Sequence, residues 1–466
     1  MTPFQTPSSI TVPFYEGSDR VVGGGRWRRM DDAGCCCGSE MTVAAATARA
    51  VDGVLDLLRR QVRRPEAARH AADYVRGLLA DLDRKNGWQL AEQAGYAHPR
   101  GIQRVLDRYV WDADAVRDDL RAYVAAELGD PTGILVVDET GFPKQGTHSV
   151  GVARQYCGTL GKIGNCQVGV FLGYAGPLGH AAIDRALYVP HAWVDDPDRR
   201  RQAGIAPDLV FQTKPQLALA MLERALDAGA PAAWVVGDEV YGSDGALRRT
   251  LEARDQAYVL AVRRNQSLTT WPPDGRPGQV TIEALAPVVD SRTWQRLSCG
   301  EGAQGPRVYD WASLPLRPAL RDGWVHSLLI RRHPVRPAEV AWYLVYARIE
   351  TALTEIVRAA GTRWTIEEVF KLAKGQVGLD HYEVRSWQGW HRHITLALLA
   401  LAALATAAKK GEPAASTISR SQSPNSGACL PGLAGRSGTS LPRSSPGRAG
   451  GAITSGSPRN PTAVAA

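Results

Sequence analysis

At 466 residues and 50.3 kDa the chain is longer than one compact core usually holds, which predicts two or three structural units. With 44% hydrophobic and 22% charged residues it is neither wholly disordered nor fibrous. Lys plus Arg (55) exceeds Asp plus Glu (47) by eight, an excess that permits a polyanionic partner without demanding one. The longest strongly apolar run, residues 394–408, is about fifteen residues, short of the ~20 that span a bilayer, so a buried helix and no membrane partner are expected. No basic-then-apolar signal segment opens the chain, and a cytoplasmic address is the default. The seven cysteines show neither paired zinc spacing nor the density of a disulfide scaffold, and the run Cys35, Cys36, Cys37 has no His or further Cys nearby to complete a metal site.

In chain order, residues 1–40 are rich in Gly, Pro, Ser and Thr without apolar periodicity and read as a flexible leader. Residues 41–128 are helical: Val54, Leu55, Leu57 and Leu58 recur at helical spacing, as do Val75, Leu78, Leu79 and Leu82. From Trp88 a short helix, a turn containing Gly95, and a second helix beginning near Pro99 follow. Arg100, Arg104 and Arg108 lie on successive turns of that second helix, the layout of a helix-turn-helix that contacts DNA. Packing within a helical bundle accounts for the same pattern equally well.

The texture then changes to alternating strands and helices over residues 129–265. A continuous apolar run at 133–137 reads as a buried strand ending on Asp138, and strands over 165–175 and 181–190 follow, joined by a Gly-Pro-Leu-Gly turn. An amphipathic helix over 214–229, a strand over 232–237 ending on Asp238, a helix over 243–254 and a strand over 257–262 complete a mixed α/β sheet. Residues 266–350 are turn-rich with strand-like pieces and read as an inserted β-rich lobe. The α/β domain resumes over 351–410, with helices at about 362–374 and 388–409. Residues 411–466, a Ser/Pro/Gly/Arg mixture, read as a disordered tail.

Two carboxylates thus close two hydrophobic strands, where functional groups of open α/β sheets collect. With the pair Glu367-Glu368 on a later helix, they offer hard oxygen ligands suited to Mg²⁺ or Mn²⁺. Two such ions would activate a water or hydroxyl and stabilise the leaving oxygen of an in-line phosphodiester attack. Each Asp taken alone reads more readily as a turn or helix cap. On the helix, Arg363 precedes Glu367 by four residues and Lys374 follows it by seven, so one face carries a carboxylate flanked by two cations. An intrahelical ladder of ion pairs has the same spacing.

This Arg-x3-Glu-x6-Lys pattern after two strand-end aspartates resembles the signature of DDE transposases of bacterial insertion sequences, closest to the insertion sequence 4 and insertion sequence 701 families. The likeness includes Val137-Asp-Glu-Thr-Gly-Phe-Pro-Lys-Gln-Gly, Arg154-Gln-Tyr-Cys-Gly-Thr-Leu-Gly-Lys-Ile-Gly, Gly237-Asp-Glu-Val-Tyr-Gly and Gly378-Leu-Asp-His-Tyr-Glu-Val-Arg-Ser-Trp. It implies an RNase H-like mixed-sheet α/β catalytic domain with a β-rich insertion and an N-terminal helical domain. It implies Asp138, Asp238 and Glu367 as catalytic, metal-binding residues holding two Mg²⁺ or Mn²⁺ ions, with Arg363 and Lys374 on DNA phosphates. Lys144, Arg154 and Lys162 fall in the family-like stretch and are candidates for the DNA backbone. The implied partners are double-stranded DNA, as terminal inverted repeats and as target, handled by a homodimer on paired ends in the bacterial nucleoid. The family's fuller signature has a Tyr three residues before the Arg; here Ala360 stands there, and Tyr382 is the candidate replacement. Glu368 is the rival third ligand, but only Glu367 has the spacing to both cations. Trp387, Trp390, His391 and His393 are candidates for stacking on a flipped base, with helix packing the plainer reading. Two other functions fit the same residues: an inactive DNA-binding transposase remnant, and a metal-dependent nuclease without strand transfer.

Overall fold

The computed structural model describes residues 37–270, 278–285, 289–302, 305–318 and 321–411. The expected leader, apart from residues 37–40, and the expected disordered tail, apart from residue 411, lie outside the described residues, as do Cys35 and Cys36.

Five helices come first: α1 (Cys37–Gln61), α2 (Pro65–Leu79), α3 (Gly87–Gln93), α4 (Arg100–Asp107) and α5 (Ala113–Leu128). The periodic apolar positions Val54, Leu55, Leu58, Val75 and Leu78 are at most 1% exposed, so the 3.6-residue pattern marks the core face. The Asn86 side chain caps α3 by accepting from the Trp88 and Gln89 amides at 3.0 and 3.1 Å. Gly95 then takes φ +77°, a conformation that costs a Cβ-bearing residue, and α4 turns back with Ile102 and Val105 buried. Arg100, Arg104 and Arg108 are left on its exposed side.

A meander of β1 (Ile134–Pro143), β2 (Ala153–Cys157), β3 (Lys162–Gly176) and β4 (Gly179–Tyr188) follows. The short helices α6 (His191–Val194) and α7 (Pro197–Ala203) lead to α8 (Lys214–Asp227), whose Thr213–Gln216 capping box fixes its start. Then come β5 (Trp234–Gly237), α9 (Glu239–Gly242), α10 (Gly245–Ala253) and β6 (Ala257–Val262). β1 is central: it pairs antiparallel with β3 along its whole length and parallel with β5 over Ile134–Val137, and β5 pairs parallel with β6. With β4 beside β3, the order β4–β3–β1–β5–β6 is an RNase H-like mixed sheet.

Within residues 266–350, β7 (Ser267–Thr270) and β8 (Gly278–Thr281) form a separate hairpin, followed by the single turn α11 (Ile282–Leu285). The next strands, β9 (Gln295–Gly302), β10 (Gly305–Pro318), β11 (Trp324–Arg332) and β12 (Val340–Arg348), continue the main sheet, because β12 pairs antiparallel with β6. Sequence pattern alone suggests a lobe of their own there, since it does not report long-range pairing. The chain ends its described part with α12 (Leu353–Thr362), α13 (Thr365–Val377) and α14 (Trp387–Gly411). α14 is longer than the apolar run within it. Its Trp387–Lys409 segment is long and apolar enough to cross a membrane, yet 72% of its most apolar window is buried inside the fold. It runs between α1, α2, α5 and β4 and joins the helical region to the sheet.

Candidate metal centre

Three carboxylates, Asp138, Glu139 and Asp238, offer oxygens that all lie within 4.8 Å of one another. The sequence places Asp138 at the end of its strand; β1 instead runs five residues further, because β3 keeps pairing as far as Pro143 opposite Cys166. Asp138 sits where the other neighbour stops, one residue after Val137 pairs Gly237. That leaves a notch in the sheet, into which Asp238 enters as the N-cap of α9, accepting the Val240 amide at 2.8 Å. Burial is the main force pushing Asp138 up, to about 7, with the Asp238 charge adding to it and Arg363 opposing it. Asp238 is raised too, first by burial and then by Glu139. Two crowded, desolvated carboxylates of this kind disfavour their own ionised forms unless a cation joins them, so the donor set fits hard divalent ions.

Glu139 is not among the residues the sequence singles out, because the partners that place it, Lys214 and Tyr241, are distant in the chain. Its carboxylate is already engaged: Lys214 Nζ donates to Oε1 at 2.7 Å, and the Tyr241 hydroxyl donates to Oε2 at 2.5 Å. Burial holds the Tyr241 phenol well above its ordinary value, so it remains a donor. Lys214 and Tyr241 therefore brace Glu139 against α8 and α9. The sequence signal available was the repeated Asp-Glu pair, Asp138-Glu139 and Asp238-Glu239.

Glu367 lies outside the 4.8 Å group but is joined to it by one guanidinium. Arg363 Nη1 is 3.5 Å from Asp138 Oδ2, and its Nη2 donates to Glu367 Oε1 at 2.9 Å. The Glu367 side chain is 59% exposed, in the first turn of α13. Glu368 lies near His180 on β4, where its charge partly offsets the burial that lowers that imidazole.

A single helix over 362–374 is what the spacing predicts, but the chain breaks there. α12 ends at Thr362, and a tight turn through Arg363 and Trp364 starts α13, with Ile366 N bonding back to Arg363 O. In consequence Arg363 faces Asp138 while Lys374 reaches further along β1. Lys374 Nζ donates to Thr140 Oγ1 at 2.8 Å, to Thr159 Oγ1 at 2.9 Å and to the Gly141 carbonyl at 3.2 Å. It ties α13 to β1 rather than presenting a free ammonium, and burial lowers its pKa. Lys144 is likewise engaged, 3.6 Å over the Tyr382 ring and donating to the Tyr382 carbonyl, with burial bringing it down to about 8. Lys162 and Arg154 are exposed on the β2–β3 hairpin.

Tyr382 does not reach the carboxylates: it is buried, its hydroxyl donating to Gln167 Oε1 and accepting from Trp390 Nε1. Trp390 and His393 are fully buried, the latter bonded to the Tyr74 hydroxyl, and His391 Nδ1 is 2.9 Å from the Trp387 carbonyl. Trp390 and His393 thus pack α14 into the core, whereas Trp387 and His391 are half-buried and line a cavity beside Arg185 and Arg224.

Two comparisons bear on this geometry. The model of a family described as DDE superfamily endonuclease matches residues 57–313, a stretch that contains Asp138 and Asp238 and ends before Arg363. A probable transposase for insertion sequence element IS701 from Microchaete diplosiphon is 30% identical over 202 residues, covering 42% of this chain and 49% of that protein. The match thus spans about half the length of that curated relative.

Proposed function

The chain belongs to the DDE superfamily endonucleases, and from that premise we propose that it is the transposase of a bacterial insertion sequence, cutting the element's ends and joining them to target DNA. The observation that supports this best is the convergence of Asp138 and Asp238, both held above their ordinary carboxylate values, beside an arginine that carries Glu367. Asp138, Asp238 and Glu367 would hold Mg²⁺ or Mn²⁺, two ions in the full reaction. Ions so bound supply an activated oxygen nucleophile and neutralise the departing one. Glu139 keeps its brace on Lys214 and Tyr241, so its charge keeps the neighbouring aspartates primed for a cation.

The protein's other contributions are positional. Arg363 bridges Asp138 and Glu367, and its guanidinium fork is well shaped to turn to the scissile phosphate, which it would hold in the reaction. Lys374, Thr140 and Thr159 fix α13 on β1, which sets where Glu367 can swing. Hydrolysis at each terminal inverted repeat would free a 3′-hydroxyl, and the same positioning would serve its attack on target DNA. Arg100, Arg104 and Arg108 on α4 would meet the end DNA, Lys162 would meet its backbone, and a homodimer would hold paired ends in the nucleoid. Lys144 would contribute only after leaving the Tyr382 ring.

The test is an incubation of the protein with labelled DNA carrying the element's inverted repeats, in Mg²⁺ and in EDTA. Metal-dependent cutting followed by joined products supports the proposal. Cutting without joining assigns a nuclease instead, and binding without cutting assigns an inactive remnant.

A further inference from the structure

Beside Asp238 a cavity of about 340 Å³ opens between the sheet extension and the α12–α13 turn. Strand register explains its lining. Arg263 follows the last residue of β6, and since Val262 pairs with Trp342, it stands level with Ala341 on β12. Ala341 pairs with Arg331 on β11, and Arg331 pairs with Trp311 on β10. Arg263, Ala341, Arg331 and Trp311 therefore form one row across four strands, on the face that meets Arg363. The small Ala341 in the row and Ala360 on α12 leave the space between the arginines open.

Three features suit this row to an anion. The Arg331 guanidinium rests on π faces, 4.6 Å from the Tyr309 ring centre and 5.3 Å from that of Trp364, and has no carboxylate partner among the described residues. Stacking of this kind orients a guanidinium while leaving its N–H donors free. The Arg263 side chain is 64% exposed and lies 3.6 Å from Glu239, its one ion-pair partner among the described residues. The Trp311 indole N–H is buried in a side chain 1% exposed and has no hydrogen-bond partner among the described residues, a costly state unless an acceptor arrives. Arg307, stacked 4.3 Å from the centre of the Trp364 ring, donates to the Gly361 carbonyl and holds the turn that carries Arg363.

We propose that this cavity is a phosphodiester subsite, in which Arg263, Arg331 and the Trp311 N–H hold a backbone phosphate of the strand that lies across the carboxylates. The inference rests on the transposase reading for the identity of the strand, but not for its test. That test is binding of a fluorescein-labelled single-stranded oligodeoxynucleotide to the full chain in EDTA, read by anisotropy over a range of NaCl concentrations. Each single-strand phosphate that the protein no longer neutralises lowers the slope of log K against log salt by about 0.7. Arg263→Gln and Arg331→Gln are expected each to lower it by that amount, with several-fold weaker binding at low salt. Arg331→Lys keeps the charge and should restore the slope, which a merely structural role for Arg331 would not. Arg336→Gln, at an exposed arginine paired to Glu339 in the β11–β12 turn, should leave the slope alone.

Slopes unchanged in both Gln variants would overturn the subsite, whatever the wild-type protein does in Mg²⁺. Inorganic phosphate at matched ionic strength separates the two sources of such a group. Competition beyond the ionic-strength effect assigns a free-anion pocket and overturns the strand reading, and its absence supports the strand. Failure of the wild-type protein to cut terminal-repeat DNA would sink the transposase reading while leaving these slopes to decide the cavity.

Discussion

Asp138 is under two opposed demands. It must be desolvated to sit between β3 and β5, yet the metal-binding role proposed for it needs it ionised. Its folded value of about 7 lies above the ordinary 3.8, so between these values the folded protein binds more protons than the unfolded chain. The stability this group contributes is therefore full below about pH 4 and is lost as pH rises through 7. Asp238 shifts in the same direction, while buried His393, lowered to about 4 by burial, acts in the opposite one. The measurement is a difference: in EDTA, the Tm of wild type minus that of Asp138→Asn should fall as pH rises from 4 to 7. Mg²⁺ should raise the wild-type Tm more at pH 8 than at pH 6, because ion binding competes with the proton. A flat difference would mean that the burial of Asp138 is relieved in solution. At this scale the two aspartates were legible, because a strand-end acid after an apolar run is a local pattern. Glu139 was not, since its partners Lys214 and Tyr241 are 75 and 102 residues away.

At the scale of elements, the helix break at Arg363–Trp364 decides which cation does what. Periodicity placed Arg363, Glu367 and Lys374 on one face, and the i,i+4 pair of Arg363 with Glu367 does form. The turn's cause lies elsewhere in the chain: the Trp364 ring is stacked by Arg307 and Arg331 of the distant β10 and β11. Gly361 lets α12 approach β9 so closely that a Cβ there would meet the Cys299 carbonyl oxygen at 1.9 Å. A backbone oxygen in a paired strand has little room to yield, so Gly361→Ala should cost about 1–3 kcal/mol in urea unfolding. It should also weaken Mg²⁺ binding, by displacing Arg363 and Glu367 together. Unchanged stability would show that α12 slides along the sheet without cost. Strands β5 and β6 and helix α8 were readable from pattern alone; β2, short and with alternating exposure, was not.

At the scale of the whole molecule, the sheet runs from β2 to β9 and carries the carboxylate notch near its middle and an arginine row beyond it. That continuity was illegible in the sequence, because the pairing of β12 with β6 joins residues some eighty positions apart. Net charge proved a weaker guide than position. Residues 411–466 carry five Arg against one Glu, about half of the excess of eight, and all but residue 411 lie outside the described residues. On the described fold, Arg100, Arg104 and Arg108 are exposed along α4 and at its C-cap, and we propose them as the contacts to the duplex. The triple variant Arg100→Gln, Arg104→Gln, Arg108→Gln should reduce the salt slope for end DNA by about 0.9 for each phosphate left unneutralised, with melting temperature unchanged. An unaltered slope would return α3 and α4 to a packing role.

The third carboxylate is the point on which the proposed chemistry turns, because Glu139 is nearer to the aspartates but braced on two partners, and Glu367 is further but exposed beside Arg363. Cleavage of labelled terminal-repeat DNA in Mn²⁺, run with the melting temperature of each variant, decides between them. Glu367→Gln should abolish cutting with DNA binding and Tm intact, whereas Glu139→Gln should lower Tm by unpairing Lys214 and Tyr241. Wild-type cutting by Glu367→Gln, beside an inactive Glu139→Gln of unchanged Tm, would contradict the account and make Glu139 the third ligand.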